Sequence, residues 1–339
     1  MVNINLIFLF PILAGFFVTL LFVPFWIRKA KEIGLMWDDM NKLSSEKVAG
    51  SGGIIVVLGF VIGIFIFIGY SVFVLQQSNF LVEVFALLTT VLLLAGIGLI
   101  DDLFGWHKGG LSVRSRLILV FLASIPLMVI NAGRSEIVFP ILGNINLGII
   151  YPLIFIPIGI VGAATTFNFL AGFNGLEAGQ GVLLLFSLGI VSIFTGNLWL
   201  AIVAFTMVAS LFGFLIYNSN PAKVFPGDSL TLVIGGLIAM IAILGNFEKV
   251  AVFFFIPYIL ETFLTSRGKL KKQSFGRPNK NGELGLRYNK LYSLSHVSIA
   301  LMMKLGIKPT EKRVVYSLLF FQLMIIILGF LIFRQGIFK

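Results

Sequence analysis

FLVEVFALLTTVLLLAGIGLIDD, residues Phe80 to Asp102, decides the fold. Its apolar run carries one charge, Glu83, and stops on two adjacent acids, Asp101 and Asp102. About 20 apolar residues in a helix, rising about 1.5 Å each, cross the ~30 Å hydrocarbon layer of a bilayer. In lipid the backbone must satisfy its own N–H and C=O groups, so such a run is a helix. A membrane β-barrel would show weak alternating segments of about ten residues instead; none is present.

The same pattern recurs outward along the chain. Apolar stretches at roughly 4–27, 52–75, 80–100, 117–133, 148–164, 181–196, 198–216, 230–245, 250–265 and 314–333 predict about ten transmembrane helices in an all-α polytopic membrane protein. Of 339 residues, 58% are hydrophobic and 12% charged, against about a quarter charged in a soluble domain. The first stretch is longer than a signal-peptide core and lacks a basic leader, so it reads as a retained span. The chain reads as one unit, 1–339. With no cysteine, it has no disulfide, thiolate metal site or thiol nucleophile.

Ten spans sort the loops into two sets. One holds 28–51, 101–116, 165–180, 217–229 and 266–313, with 21 of the 25 Lys and Arg residues. The other holds Arg134, Lys249, Arg334 and Lys339. The positive-inside rule makes the first set cytoplasmic and both termini extracytoplasmic. The net charge of +11 then reads as loops facing anionic headgroups and an anionic substrate, not nucleic acid.

Four segments of the basic set combine acids, glycine and apolar residues. Asp101 and Asp102 at a helix end are either a solvated pair or a cation site, for which magnesium, a hard ion preferring oxygen, is suited. NFLAGFNGLEAGQ, Asn168 to Gln180, is either a glycine-rich packing segment or unwound backbone lining a cavity. VFPGD, Val224 to Asp228, ends on an acid that is either the N-cap of the next helix or an organiser of metal-bound phosphate. The loop 266–313, with twelve basic residues including Lys271, Lys272, Arg277 and Arg287, is either a headgroup-binding segment or a lid over phosphates. Within it, Leu294, Val297, Leu301 and Leu305 share a helical face suited to a membrane interface. His107 and His296 lack metal-ligand spacing. Glu261 lies inside an apolar span without an evident partner.

These segments, in this order, resemble the polyprenyl-phosphate N-acetylhexosamine-1-phosphate transferase family, and most closely its archaeal and eukaryotic dolichyl-phosphate N-acetylglucosamine-1-phosphate branch. The resemblance rests on Asn168–Gln180, on VFPGD, on the paired Asp101 and Asp102, and on WDDMNK (Trp37–Lys42) followed by KVAGSGG (Lys47–Gly53). It implies a magnesium ion, replaceable by manganese, held by Asn168 and Asp228. It implies catalytic roles for Asp101, Asp102 and Arg116, the last where many members carry a phosphate-contacting Lys. It places Asp39, Asn174, Glu177, Phe225 and Arg277 on the substrate, with Asn174 reading the uracil and Phe225 stacking on it. Members carry a His- and Arg-rich motif in the last loop; here Gly276-Arg277-Pro278 stands without a histidine, and Arg277 is the best match.

The implied reaction joins UDP-N-acetylglucosamine, or another UDP-acetamido sugar, to polyprenyl (dolichyl) phosphate at the cytoplasmic face. UMP leaves, and the product starts the assembly of a lipid-linked glycan. The resemblance also implies a homodimer among membrane lipids. The rival reading is a secondary transporter of an anionic solute, whose polar groups would sit at the midplane of broken helices.

Overall fold

The structure, a computed structural model, describes residues 9–44, 46–139 and 143–338. The expected start of the first span at residue 4, the N-terminus and Lys339 lie outside the described residues.

Among the described residues each of the ten apolar stretches contains helix, but not as ten uniform rods. Seven helices among the described residues are long and apolar enough to cross a membrane. They are α1 (Leu9–Ile33), α2 (Gly53–Phe73), α3 (Leu81–Lys108), α7 (Leu176–Phe194), α8 (Leu198–Asn218), α9 (Asp228–Gly245) and α13 (Glu311–Ile332). The other three stretches are broken or short. α4 (Val113–Ala123) and α5 (Ile125–Val129) part at Ser124. A π-helical turn (Tyr151–Phe155) runs into α6 (Ile156–Phe167), a short apolar helix. α10 (Glu248–Phe254) and α11 (Ile256–Arg267) meet at a 57° bend, so as one bent span they bring the number to eight.

Proline stands at all three interruptions, with Pro152 and Pro157 at the starts of the π-helical turn and of α6. Pro126 and Pro257 stand in the first turns of α5 and α11, where a missing N–H costs nothing but the ring blocks continuation of the preceding helix.

Among the described residues three two-stranded pairings lie in loops, which an all-α reading does not anticipate. β1 (Met36–Asp38) pairs with β2 (Lys47–Ala49), and β3 (Glu136–Phe139) with β4 (Gly143–Asn146). β5 (Arg277–Pro278) pairs with β6 (Leu284–Gly285). The last loop also folds α12 (Leu294–Lys304), over the expected stretch; α14 (Arg334–Ile337) closes the described chain. On α12 the apolar stripe is exposed at Val297, Leu301 and Leu305, while Leu294 is buried.

Burial separates the centre of the bundle from its rim. In α9, 89% of the apolar window is buried inside the protein; in α1 and α13 the shares are 22% and 28%. α9 packs on α2, α3, α6, α7, α8 and α10, whereas α1 rests on α2 and α8. The exposed apolar faces of α1 and α13 suit lipid, and the central α9 carries Asp228 at its first residue.

Candidate functional site

The site begins where α3 crosses the start of α9. Gly98 of α3 lies against the Asp228 and Ser229 backbone so closely that a Cβ there would collide with it. That approach puts Asp102, four residues on, over the first N–H groups of α9. Asp102 Oδ1 accepts from Asp228 N at 2.8 Å and Oδ2 from Ser229 N at 3.4 Å. A helix start leaves its first N–H groups without partners and carries partial positive charge. Asp102 meets both needs from another helix. Gly227 precedes α9 with φ +71°, and a Cβ there would strike the Asp102 carboxylate.

Asp101 faces the other way. Its Oδ1 accepts from Leu111 N at 2.5 Å, folding the turn after α3, and its Oδ2 pairs with Arg116 near the start of α4. The same guanidinium reaches Asp228 Oδ2 at 3.3 Å. Asn168, at the end of α6, donates Nδ2 to Asp228 Oδ1 at 2.9 Å. Four expected site residues from four elements, Asp101, Arg116, Asn168 and Asp228, thus form one cluster. Within it one guanidinium is shared by two carboxylates, those of Asp101 and Asp228.

Division of labour between the two acids leads to a first prediction. Asp102→Ala should cost about 1–2 kcal/mol, the worth of a helix N-cap, seen as a lower Tm in detergent. Asp102→Asn, which keeps an acceptor, should recover most of that stability. Activity recovering along with Tm marks Asp102 as a positioning residue; full stability with no activity marks its charge as needed in the reaction.

With the five basic loops numbered in chain order, loops one (28–51) and four (217–229) form one wall. Ala49 and Val224 make a parallel bridge, Phe225 N donates to Ala49 O at 2.8 Å, and Gly52 N and Gly53 N each donate at 2.9 Å to the carbonyls of Phe225 and Pro226. Phe225 is thereby fixed, half-buried, on a cavity of about 390 Å³. Trp37, Phe173, Phe275 and Tyr292 supply further aromatic surface, and Asn168 and Asp228 stand on its wall. Residues from loops one, three, four and five line this cavity, and loop two adds Asp101 and Arg116 through their contacts with Asp228.

The remaining expected residues fall in three places. Glu177 lines the cavity; its Oε1 accepts from Gly172 N at 2.7 Å, while the buried Oε2 has no partner among the described residues. Asp39 and Asn174 are buried behind the wall, Asn174 Nδ2 donating to Asp39 Oδ2 at 3.1 Å and Asn174 N to Glu311 Oε1 at 2.9 Å. Lys42 adds its ammonium to Asp39 at 3.1 Å. Burial acts to lower the Lys42 pKa, but Asp39, Glu311 and Glu46 raise it above its ordinary value. Arg277 is exposed on the β5–β6 hairpin and does not line the cavity.

Other cavity residues carried little sequence signal. Trp37 presents a buried Nε1–H with no acceptor among the described residues. Lys272 lines the cavity with its ammonium 4.9 Å from the Tyr288 ring centroid. Ser274 Oγ donates to Ala171 O at 2.9 Å and Phe275 covers Gly172, so loop five is fastened to loop three. Glu261, partnerless in the sequence, accepts from Leu294 N at 2.6 Å and holds the start of α12. His296 accepts from Tyr292 N at Nδ1 and donates from Nε2 to Phe275 O at 3.2 Å; burial holds its pKa below the usual value. Its two contacts make it a structural residue of loop five.

The donor set fits a divalent cation completed by a ligand. Among the described residues no three His, Asp or Glu side chains form a metal cage on their own. Magnesium is commonly held by one or two carboxylates plus phosphate oxygens and water. Asp228 and the Asn168 carboxamide, whose oxygen and nitrogen exchange places on a half-turn, supply such a partial set on the cavity wall. The excess of carboxylate over guanidinium calls for further positive charge.

Comparison with known proteins supplies independent evidence. Residues 84–246 match the family described as glycosyl transferase family 4. A relative from Saccharolobus solfataricus, provisionally named a UDP-N-acetylglucosamine–dolichyl-phosphate N-acetylglucosaminephosphotransferase, is 36% identical over 300 residues, 88% of each chain. The Dictyostelium discoideum enzyme of that name is 29% identical over 354 residues, covering 91% of this chain and 84% of its own. A phospho-N-acetylmuramoyl-pentapeptide-transferase from Levilactobacillus brevis is 28% identical over 265 residues, covering 75% of this chain and 80% of its own.

Proposed function

The chain belongs to glycosyl transferase family 4, and from that premise we propose that it transfers N-acetylglucosamine-1-phosphate from UDP-N-acetylglucosamine to dolichyl phosphate. The observation that carries the reading is the Asp101–Arg116–Asp228–Asn168 cluster at the wall of an aromatic cavity. An acceptor phosphate oxygen attacks the sugar-linked phosphorus. The bond from that phosphorus to the bridging oxygen breaks, the electron pair stays on the bridge, and UMP departs. The acceptor is already an anion, so no general base is required. The difficulty is bringing two phosphates together, and the remedy is positive charge in a partly dry site.

Each group has a place in this scheme. Arg116, held by two carboxylates, is aimed before substrate arrives, which removes a reorganisation cost. Asn168 and Asp228 are the residues that would hold Mg²⁺, or Mn²⁺ in its place; bound there, the ion would neutralise diphosphate charge. Phe225 offers its face to the uracil, with Trp37 Nε1 and Glu177 Oε2 as polar groups awaiting partners. Asp39 and Asn174 act on the base from behind, by fixing loops one and three. Lys272 is the loop-five cation on the cavity. Lys272→Ala should raise KM for the nucleotide sugar by about tenfold, the worth of one charged hydrogen bond, with Arg277→Ala changing it by less than about threefold. The reverse order would put Arg277 on the phosphate.

The same scheme includes ten membrane crossings, with both termini extracytoplasmic and the site cytoplasmic. Its support is the 21-to-4 partition of basic residues together with the meeting of four basic-set loops around one cavity and the contact of loop two with Asp228 on its wall. The exposed faces of α1 and α13 leave surface for a homodimer. A transporter finds no support here, because the gathered charges lie at helix ends around the loops. The test of substrate identity is a panel of UDP-sugars with purified protein, Mg²⁺ and dolichyl phosphate. Chloroform-soluble label from UDP-N-acetylglucosamine above all others is expected; preference for a muramoyl-pentapeptide or N-acetylgalactosamine donor would overturn the sugar assignment.

A further inference from the structure

A second polar cavity, of about 350 Å³, lies at the other end of α3. Glu83, in the first turn of α3, lines it, and Asp101 stands eighteen residues further along, about 27 Å at 1.5 Å per residue. Arg134, Asn131, Trp199 and Asn246 also line it. Glu83 Oε2 is buried and has no hydrogen-bond partner among the described residues. Arg134 is exposed, with no carboxylate within ion-pair distance among them. Glu83 and Arg134 thus share a cavity without pairing. α5 and α9 both end here, with Ile130 and Asn246 as their C-caps, and the last carbonyls of a helix carry partial negative charge.

This cavity does not stand alone. An open apolar groove of about 540 Å³ runs between α3 and α5 and shares Ile130 with it. Val82 and Val129, 63% and 78% exposed, form part of its surface. A lipid-facing groove that ends in a pocket with one unpaired acid and one unpaired base has the shape of an amphiphile whose head carries both charges. We propose that this is a binding site for a zwitterionic phospholipid of the leaflet opposite the catalytic cavity. Its phosphate meets Arg134, its primary ammonium meets Glu83 and the carbonyl ends of α5 and α9, and one chain follows the α3–α5 groove. This site is independent of the proposed transferase reaction.

The test uses the full chain, delipidated in detergent, with native mass spectrometry and thermal shift reading added lipids. Phosphatidylethanolamine should bind about tenfold more tightly than phosphatidylglycerol, which lacks the ammonium, the worth of a charge-assisted hydrogen bond. Glu83→Gln should abolish that preference, Arg134→Gln should weaken both lipids, and Val129→Trp, filling the groove from an exposed position, should weaken both while O-phosphoethanolamine binding persists. Retained transfer activity in each variant serves as the check on folding. Equal affinity of the wild-type protein for the two lipids, or unchanged lipid binding in Glu83→Gln and Arg134→Gln, would overturn the proposal and reduce the groove to annular lipid contact.

Discussion

Asp228→Ala should leave the protein inserted and folded while transfer falls by on the order of 10³-fold or more, the scale seen when one preorganised electrostatic group is removed from a reaction centre. Asp228 is the first residue of α9, but the N–H groups there are capped by Asp102. Its own side chain is therefore spared from capping and is turned to Arg116 and Asn168. The expected Tm change is small because the cap survives. Asp228→Asn, which keeps shape and hydrogen bonding but not charge, should be nearly as inactive. Robust Mg²⁺-dependent transfer by either variant, measured as lipid-extractable label, would remove Asp228 from the metal assignment.

Arg116→Ala should lower transfer by about 10²–10³-fold, with a loss of stability as well. The guanidinium bridges Asp101 and Asp228, so its removal leaves those two carboxylates without their counter-charge. Arg116→Lys tests geometry against charge. A single ammonium cannot reproduce a planar fork that grips two carboxylates at once, so a loss of at least about tenfold should persist. Raising Mg²⁺ should restore part of the Ala variant's activity if charge alone is missing. Wild-type activity in Arg116→Lys would show that a point charge suffices.

The helices were legible because lipid imposes one requirement on every span: apolar residues outside and hydrogen bonds within. The breaks were not legible in hydropathy, which runs unbroken through Pro126, Pro157 and Pro257. Asn168, Asp228, Asp101 and Arg116 were legible as chemistry, and the structure brings them together. The role of Asp102 was not, since its cap lies 126 residues away in the chain and exists only through the close approach at Gly98. The partner of Glu261 was hidden in the same way, at the start of α12. Loop five was the hardest part. Composition marks it as basic, but which cation faces the cavity depends on the fastening of Ser274 and Phe275 to loop three. That contact sets the exposed Lys272 along the cavity lining, while the β5–β6 hairpin holds Arg277 away from it.

The nucleotide released is the most direct test of the account. Purified protein is incubated with UDP-N-acetylglucosamine labelled in both sugar and uridine, Mg²⁺ and dolichyl phosphate, and the aqueous products are resolved by anion exchange. The expected result is UMP, equimolar with sugar label in the chloroform phase, because attack occurs at the sugar-linked phosphorus. Release of UDP with the same lipid-phase label would mean attack at the sugar carbon, and would contradict the phosphoryl transfer on which the site assignment rests.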